Sequence, residues 1–233
     1  MEQHTFSITE ALQFGWRLFK QYIGLLVGAS LFVIAVSAAF GWLSEDGNGL
    51  AELLISLVGT LVQWWLYVGL ISIGLMLHNG DRPQFSDLFN DNWRMFGNYV
   101  VGTVLYSLIA LAGFILLIVP GVIWSIKYHY YAYLIVEKNM KPIEALKESG
   151  RITMGNKWKI LGFFFVIGLM NFVGVLALGI GLLVTLPVTL IASVYVYKQL
   201  SCTPAAVVAD PTPAVETSAT QTPELNSEKK PVE

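Results

Sequence analysis

Six stretches of this sequence are apolar for long enough to cross a ~30 Å hydrocarbon layer as helices, and that pattern constrains the fold more than any motif does. They run Tyr22 to Trp42, Leu50 to Leu77, Tyr99 to Val119, Gly121 to Val136, Trp158 to Leu178 and Gly181 to Leu200. A backbone surrounded by lipid must satisfy its own hydrogen bonds, so runs of this length predict helices and an all-α, polytopic membrane protein. Composition agrees: 13% of the 233 residues are charged and 55% hydrophobic, with a mean hydropathy of +0.62, whereas a soluble domain carries roughly a quarter charged residues. The first partner expected is the lipid bilayer. A net charge of -2 gives no reason to expect nucleic acid.

Two joints between runs are very short, Ile118-Val119-Pro120-Gly121 and Leu178-Gly179-Ile180-Gly181. Proline removes an N–H and glycine permits unusual dihedrals, so both predict tight turns between antiparallel helices. The domain expected over residues 1–200 is therefore three helical hairpins, about 7–77, 85–136 and 142–200. Lysine and arginine set the orientation, because cytoplasmic loops keep them and short translocated loops lack them. Arg17, Lys20, Arg82, Arg94, Lys138, Lys141, Lys147, Arg151, Lys157, Lys159 and Lys198 all fall toward one side, and the three opposite loops contain none. Both termini are expected in the cytoplasm. Residues up to Phe40 also resemble a signal peptide, with Ala35-Val36-Ser37-Ala38 as a small-residue cleavage site. That rival is set aside because Ser7-Ile8-Thr9-Glu10 is a capping box, after which Ile8, Ala11, Leu12, Gly15 and Phe19 share one helical face. Residues 201–233 change to Pro, Thr, Ala, Val and Glu without periodicity, a composition that predicts a disordered tail. Cys202 is the single cysteine, which excludes a disulfide within the chain.

One phrase recurs. Trp16-Arg17-Leu18-Phe19-Lys20-Gln21-Tyr22 and Trp93-Arg94-Met95-Phe96-Gly97-Asn98-Tyr99 each precede an apolar run. Arg17, Arg94 and Arg151 are three of only four arginines, and each has an acid seven residues earlier, Glu10, Asp87 and Glu144. A parallel three-fold repeat follows: a cytoplasmic amphipathic helix, then a hairpin. Seven residues are two helical turns, so acid and arginine share a face but stand ~10 Å apart and do not pair within a repeat. In one reading, the arginines meet anionic lipid phosphate while Trp16 and Trp93 anchor the interface. In the other, the three helices meet around an axis, with the acid of each beside the arginine of the next. The anchor reading is preferred, that being the usual role of interfacial arginine and tryptophan.

The stretches Pro120-Gly121-Val122-Ile123-Trp124, Glu144-Ala145-Leu146-Lys147-Glu148-Ser149 and Gly155-Asn156-Lys157-Trp158 carry a family resemblance. Over roughly residues 5–200 the chain resembles an uncharacterised group of bacterial six-span membrane proteins, similar to the membrane domain fused to some glycerophosphodiester phosphodiesterases. The resemblance implies a multi-span bundle in the bacterial cytoplasmic (inner) membrane. It implies no catalytic residues, since in the fused proteins the phosphodiesterase chemistry belongs to a separate domain.

Enzyme signatures are missing from the sequence. His4, His78 and His129 are too scattered for a metal site, and there is no phosphate-binding glycine loop, so neither cofactor nor metal is expected. The acids Asp81, Asp87, Asp91 and Glu148 could act on lipid headgroups only in a setting the sequence does not show. Gly24 and Gly28 form a GxxxG, which predicts close helix packing. Pro187 predicts a kink in the sixth run.

Lys127 stands apart. Six residues past Gly121, it should lie ~9 Å inside the hydrocarbon on a helix rising ~1.5 Å per residue. A charge there costs at least ~2.5 kcal/mol unless it is paired or faces water. Glu52 and Gln63 are candidate partners, with His129 two residues on; the alternative is a lysine that snorkels outward along a short, tilted helix. Two function classes follow. The first is a non-enzymatic membrane organiser or accessory protein that holds lipid or a protein partner. The second is a small transporter or channel subunit with a polar path through Lys127, His129, Gln63 and Glu52. The first is favoured, because coupled transporters carry several ionisable groups within their spans.

Overall fold

The computed structural model describes residues 6–201, apart from 46–48, 90–91 and 178. Cys202, the tail expected to be disordered beyond it, His4 and Asp91 lie outside the described residues. Ser201, expected to begin the tail, instead closes the last helix, its hydroxyl donating to the Tyr197 carbonyl at 3.0 Å. Among the described residues every regular element is helical: α1 (Ile8–Gln21), α2 (Ile23–Glu45), α3 (Leu50–Asn79), a 3-10 turn (Phe85–Leu88), α4 (Trp93–Leu116), α5 (Ile118–Tyr128), α6 (Tyr131–Lys138), α7 (Pro142–Ile152), α8 (Lys157–Leu176) and α9 (Leu182–Ser201). Five of these, α2, α3, α4, α8 and α9, are long and apolar enough to cross a membrane.

The expected fourth span is not one helix. It breaks after Tyr128 and restarts at Tyr131, giving α5 of 11 residues and α6 of 8. A continuous helix would bond the Lys127 carbonyl to the Tyr131 N–H and the Tyr130 N–H to the Ile126 carbonyl. Here α7 supplies the substitutes: the Ser149 hydroxyl donates to the Lys127 carbonyl at 3.1 Å and accepts from the Tyr130 N–H at 3.1 Å. The Thr153 hydroxyl lies 3.1 Å from the same Lys127 carbonyl and 2.9 Å from that of Ser149, sharing one proton between them. Both hydroxyl residues are fully buried, so the break is closed by protein and not by water. Aromatic residues are poor at holding a helix together, and the run Tyr128-His129-Tyr130-Tyr131 concentrates them. The break lets the tyrosines serve the core. Tyr131 stacks on Tyr106 and Tyr99, while Tyr130 and Tyr133 stack or tilt against Tyr197 of α9. Residues Tyr130 to Ile135 are all buried, which encloses α6 up to its exposed end at Glu137 and Lys138.

The turn into α5 also falls one step earlier than expected. Leu117 is extended (φ -171°), and Pro120 sits in the first turn of α5, where its missing N–H costs nothing. Gly121 belongs to the helix. It lets α4 and α5 touch backbone to backbone, since a Cβ on Gly113 would lie 2.8 Å from the Gly121 Cα.

Of the three expected amphipathic helices, α1 and α7 form. Ser7 caps α1 by accepting from the Glu10 N–H, and Ala11, Gly15 and Phe19 are buried while Ile8 and Leu12 pack on the core. That apolar face is covered by α9, where Phe14 meets Tyr195 at a ring distance of 5.0 Å. The second repeat departs from the pattern. Among the described residues between α3 and α4 the one regular element is the 3-10 turn, which is too short for an amphipathic helix, and Trp93 and Arg94 open α4 itself. Asp87 is used as a cap, accepting from the Gln84 N–H at 2.7 Å. The turn is held where α3 has no side chain: a Cβ on Gly69 would lie 1.9 Å from the Leu88 carbonyl oxygen. The GxxxG expectation is not met, because a Cβ on Gly24 or Gly28 would meet nothing within 4 Å.

Burial is uneven along the long helices. The second half of α3 (Leu66–Leu77) and of α9 (Val188–Leu200) lies in the core, with α6 and the inner faces of α1 and α7. At the connecting ends the reverse holds. Trp42 is 70% exposed, Leu50 71%, Ile115 77%, Ile118 73% and Leu176 67%. No water-soluble monomer leaves so much contiguous apolar surface bare, and lipid is its natural solvent.

Two outcomes check this packing. Gly69→Ala should lower stability in detergent micelles by ~2 kcal/mol or more through overpacking against Leu88, while Gly28→Ala should change it by less than ~0.5 kcal/mol. Ser149→Ala should cost ~1–3 kcal/mol by stranding the buried Tyr130 N–H, read as the thermal unfolding midpoint.

Candidate functional site

Closing the break brings α7 against the end of α5, and this creates the most distinctive site in the described residues. A cleft of about 420 Å³ opens between α4, α5 and α7. Its cations are Lys127 from α5 and Lys147 and Arg151 from α7; its walls include Leu105 and Ile109 of α4, Ile143 and Leu146 of α7, and Met154 just beyond α7. Lys147 and Arg151 are four residues apart and so share a helical face. Lys127 lines the same cleft, its side chain passing over α7 where position 150 is glycine. A Cβ there would lie 3.0 Å from the Lys127 Cε. The Lys127 ammonium rests 5.0 Å from the centre of the Tyr128 ring.

Among the described residues, neither Lys127 nor Lys147 has a carboxylate within ion-pair distance. Arg151 does: its Nε donates to Glu148 Oε2 at 2.7 Å and its Nη2 to Glu148 Oε1. These bonds hold the Glu148 carboxyl below its usual range and raise the guanidinium above its own. A guanidinium has five N–H donors, so this pair leaves donors over. A second groove, of about 340 Å³, lies along α5 between Ile118, Val122 and Ile126 and the Trp158 and Leu161 side of α8, with Lys157 as its one cation.

The other polar residues expected near Lys127 are elsewhere. Gln63 donates to the Ser37 hydroxyl, linking α3 to α2. Glu52 is exposed in the first turn of α3, and His129 packs against Phe164 of α8 at a ring distance of 4.4 Å. They do not line the cleft. The three repeat arginines are also separate. Arg17 is exposed on α1, Arg94 is exposed at the start of α4, and Arg151 pairs with Glu148 of its own helix instead of Glu10 or Asp87. Glu10 and Glu144 are exposed, so no acid-to-arginine ring joins the repeats among the described residues. Trp16 is 47% exposed and stacked on Phe19, and Trp93 is 77% exposed. Both are placed as surface aromatics.

Two features were missed by sequence reasoning. Lys147 and Arg151 were not connected with Lys127, although their i, i+4 spacing marks a shared face. The other is a polar knot of Glu137, Lys198, Tyr197 and Asn79. Glu137 accepts from the Lys198 ammonium and the Tyr197 hydroxyl, and Lys198 also donates to Asn79 Oδ1 at 3.1 Å. It ties α6, α9 and α3 together. Burial pushes the Glu137 carboxyl up, but the bonds from Lys198 and Tyr197 outweigh this and hold it below its usual range.

No family model and no solved structure matches the chain. It is similar to the uncharacterized protein Rv2560 of Mycobacterium tuberculosis, at 22% identity over 231 aligned residues covering 86% of this chain and 70% of that protein. The uncharacterized protein Mb2590 of Mycobacterium bovis matches with the same identity and coverage.

A carboxyl depressed in the folded state contributes stability that is present above its unfolded pKa and lost as pH falls through the folded value. Glu137→Gln should therefore be less stable than wild type at neutral pH, and the gap should shrink to nothing as pH drops below ~4. Thermal midpoints across that range check it.

Proposed function

We propose that this chain is a six-span, non-enzymatic protein of the bacterial cytoplasmic membrane, with both termini in the cytoplasm, acting as a lipid-interacting organiser or accessory protein. The observation that carries the reading is the surface at the connecting ends. Large apolar side chains there are bare, among them Trp42, Leu50, Leu53, Ile115, Ile118, Phe172, Leu176 and Ile180, and the sequence places no lysine or arginine over 42–58, 114–119 or 172–180.

The broken fourth run supports the sixth span. It follows α4 along its length: the Tyr106 hydroxyl donates to the Ser125 carbonyl at 3.3 Å, Thr103 and Tyr131 hydroxyls meet at 2.8 Å, and the Asn98 amide donates to the Met140 carbonyl at 3.4 Å. Together α5 and α6 reach as far as a single span. Broken helices are tolerated at membrane depth where protein encloses the break, and α7 does so here. The pairs α2 with α3, α4 with α5 and α6, and α8 with α9 are then three hairpins. The resemblance to membrane domains whose chemistry lies in a separate domain points the same way. The transporter alternative needs Lys127, His129, Gln63 and Glu52 on one path, and their surroundings do not support it.

Single cysteines in a Cys202→Ser background test the topology. A cysteine at Ile180 should react with an impermeant maleimide in intact cells, and cysteines at Gln13 and Lys141 only after lysis; the reverse pattern would reject the arrangement. Anionic lipid should be enriched in the purified protein over the host membrane, and reconstituted vesicles should hold an ion gradient as well as empty ones. A protein-dependent leak would favour the transport class.

A further inference from the structure

The geometry points to the cleft between α4, α5 and α7 as a binding site for the phosphate head of one anionic phospholipid, held by Lys127, Lys147 and Arg151. This rests on the membrane reading above and adds to it a ligand class and three residues.

Three cations from two helices face one cavity, and two of them have no carboxylate partner among the described residues. Like charges lining one cleft repel, and the half-buried Lys127 ammonium is costly without a counter-charge, while Lys147 and Arg151 are exposed. Arg151 is already turned by Glu148, which orients its planar fork and leaves donors for a second anion. With Arg151 matched by Glu148, two positive charges are left without a counter-charge, and a singly negative phosphodiester head offsets one of them.

The walls distinguish a lipid from a free ion. Leu105, Ile109, Ile143, Leu146 and Met154 offer nothing to a small hydrated anion but suit acyl and glycerol carbons. Ile143 is 60% and Met154 55% exposed, and the neighbouring Leu108 and Leu111 of α4 are each 57% exposed, so the apolar wall continues from the cleft onto the bare flank of α4. An amphiphile can place its head among the cations and run its chain along that flank.

The site is also built by the break. The same α7 residues that close it, Ser149 and Thr153, hold the backbone of Lys127, and Gly150 makes room for its side chain. A phosphate bridging Lys127 to Lys147 and Arg151 would fasten α7 to α5. Lipid binding should therefore stabilise the break itself.

The test uses full-length protein, delipidated in a neutral detergent and returned to nanodiscs of phosphatidylcholine alone or with added phosphatidylglycerol. Bound lipid is counted by native mass spectrometry and the unfolding midpoint is followed in parallel. Wild type should retain phosphatidylglycerol and gain stability from it. Lys127→Gln/Lys147→Gln should lower retention ~10-fold or more, each charge being worth about a factor of five near a lipid surface, whereas Lys141→Gln/Lys159→Gln, two exposed charges outside the cleft, should not. Lys127→Arg/Lys147→Arg keeps the charge and should keep the lipid, which separates loss of binding from loss of folding. Gly150→Ala, which displaces Lys127, should also weaken retention. Equal retention by wild type and the glutamine pair would overturn the site. So would full stabilisation by inorganic phosphate in lipid-free detergent, which would make it an ion site. Alkaline extraction of native membranes is run beside these. Release of the protein there would reject the membrane reading, whereas retained protein with an indifferent cleft would reject this inference alone.

Discussion

The structure depends on a debt in backbone hydrogen bonding being settled within the protein. Breaking a helix among apolar neighbours exposes a carbonyl and an N–H that have no water to turn to, and each such group costs several kcal/mol in a dry environment. Ser149 meets both at once, donating to the Lys127 carbonyl and accepting from the Tyr130 N–H. The side chains that do this are on α7, so α7 is drawn into the bundle. Its apolar face, with Ala145 and Leu146 buried, then packs where a free amphipathic helix would have lain on lipid. Tyrosine core, enclosed α6 and cationic cleft all follow from that one clamp.

Close approach of backbones does the next share of the work. Gly69 accepts the 3-10 turn onto α3, and Gly113 and Gly121 bring α4 and α5 together. In a membrane there is little hydrophobic drive for one helix to prefer another over lipid, so dispersion at short range and satisfied polar groups decide the packing. The glycines that matter are those that meet another backbone. Gly24 and Gly28 have the familiar spacing but meet nothing.

The charges divide into two kinds. Glu137 and Lys198 sit in a knot in which each polar atom has a partner, tying α6, α9 and α3 together. Lys127 and Lys147 face an apolar cavity without a carboxylate beside them. Completed networks rigidify, whereas an uncompensated cluster is the kind of arrangement that takes a ligand. This difference is what turns the reading toward lipid and away from a polar path through the bundle.

Helix as the only regular element among the described residues, five of the long runs, and the α1 cap and its buried face were legible in the sequence. These depend on local periodicity and on length, which a chain carries in the order of its own residues. The split of the fourth run was not legible, because Gly121 to Val136 has no proline and no glycine after Gly121 to mark a break, and the break is stabilised by hydroxyls some twenty residues away. The second repeat misled for a related reason: Trp93 and Arg94 match their counterparts in letters, but they open α4 itself, the described residues before them form only a 3-10 turn, and Asp87 is taken by a local cap. Lys127 was expected either beside Glu52 and Gln63 or snorkelling outward, and it lines a cleft with Lys147 and Arg151. Burial cost is a property of one residue and its run, so the sequence determined that Lys127 must be paired, face water or snorkel. Which groups surround it depends on how separate helices pack, and only the tertiary structure decided that these are Lys147 and Arg151 rather than Glu52 and Gln63.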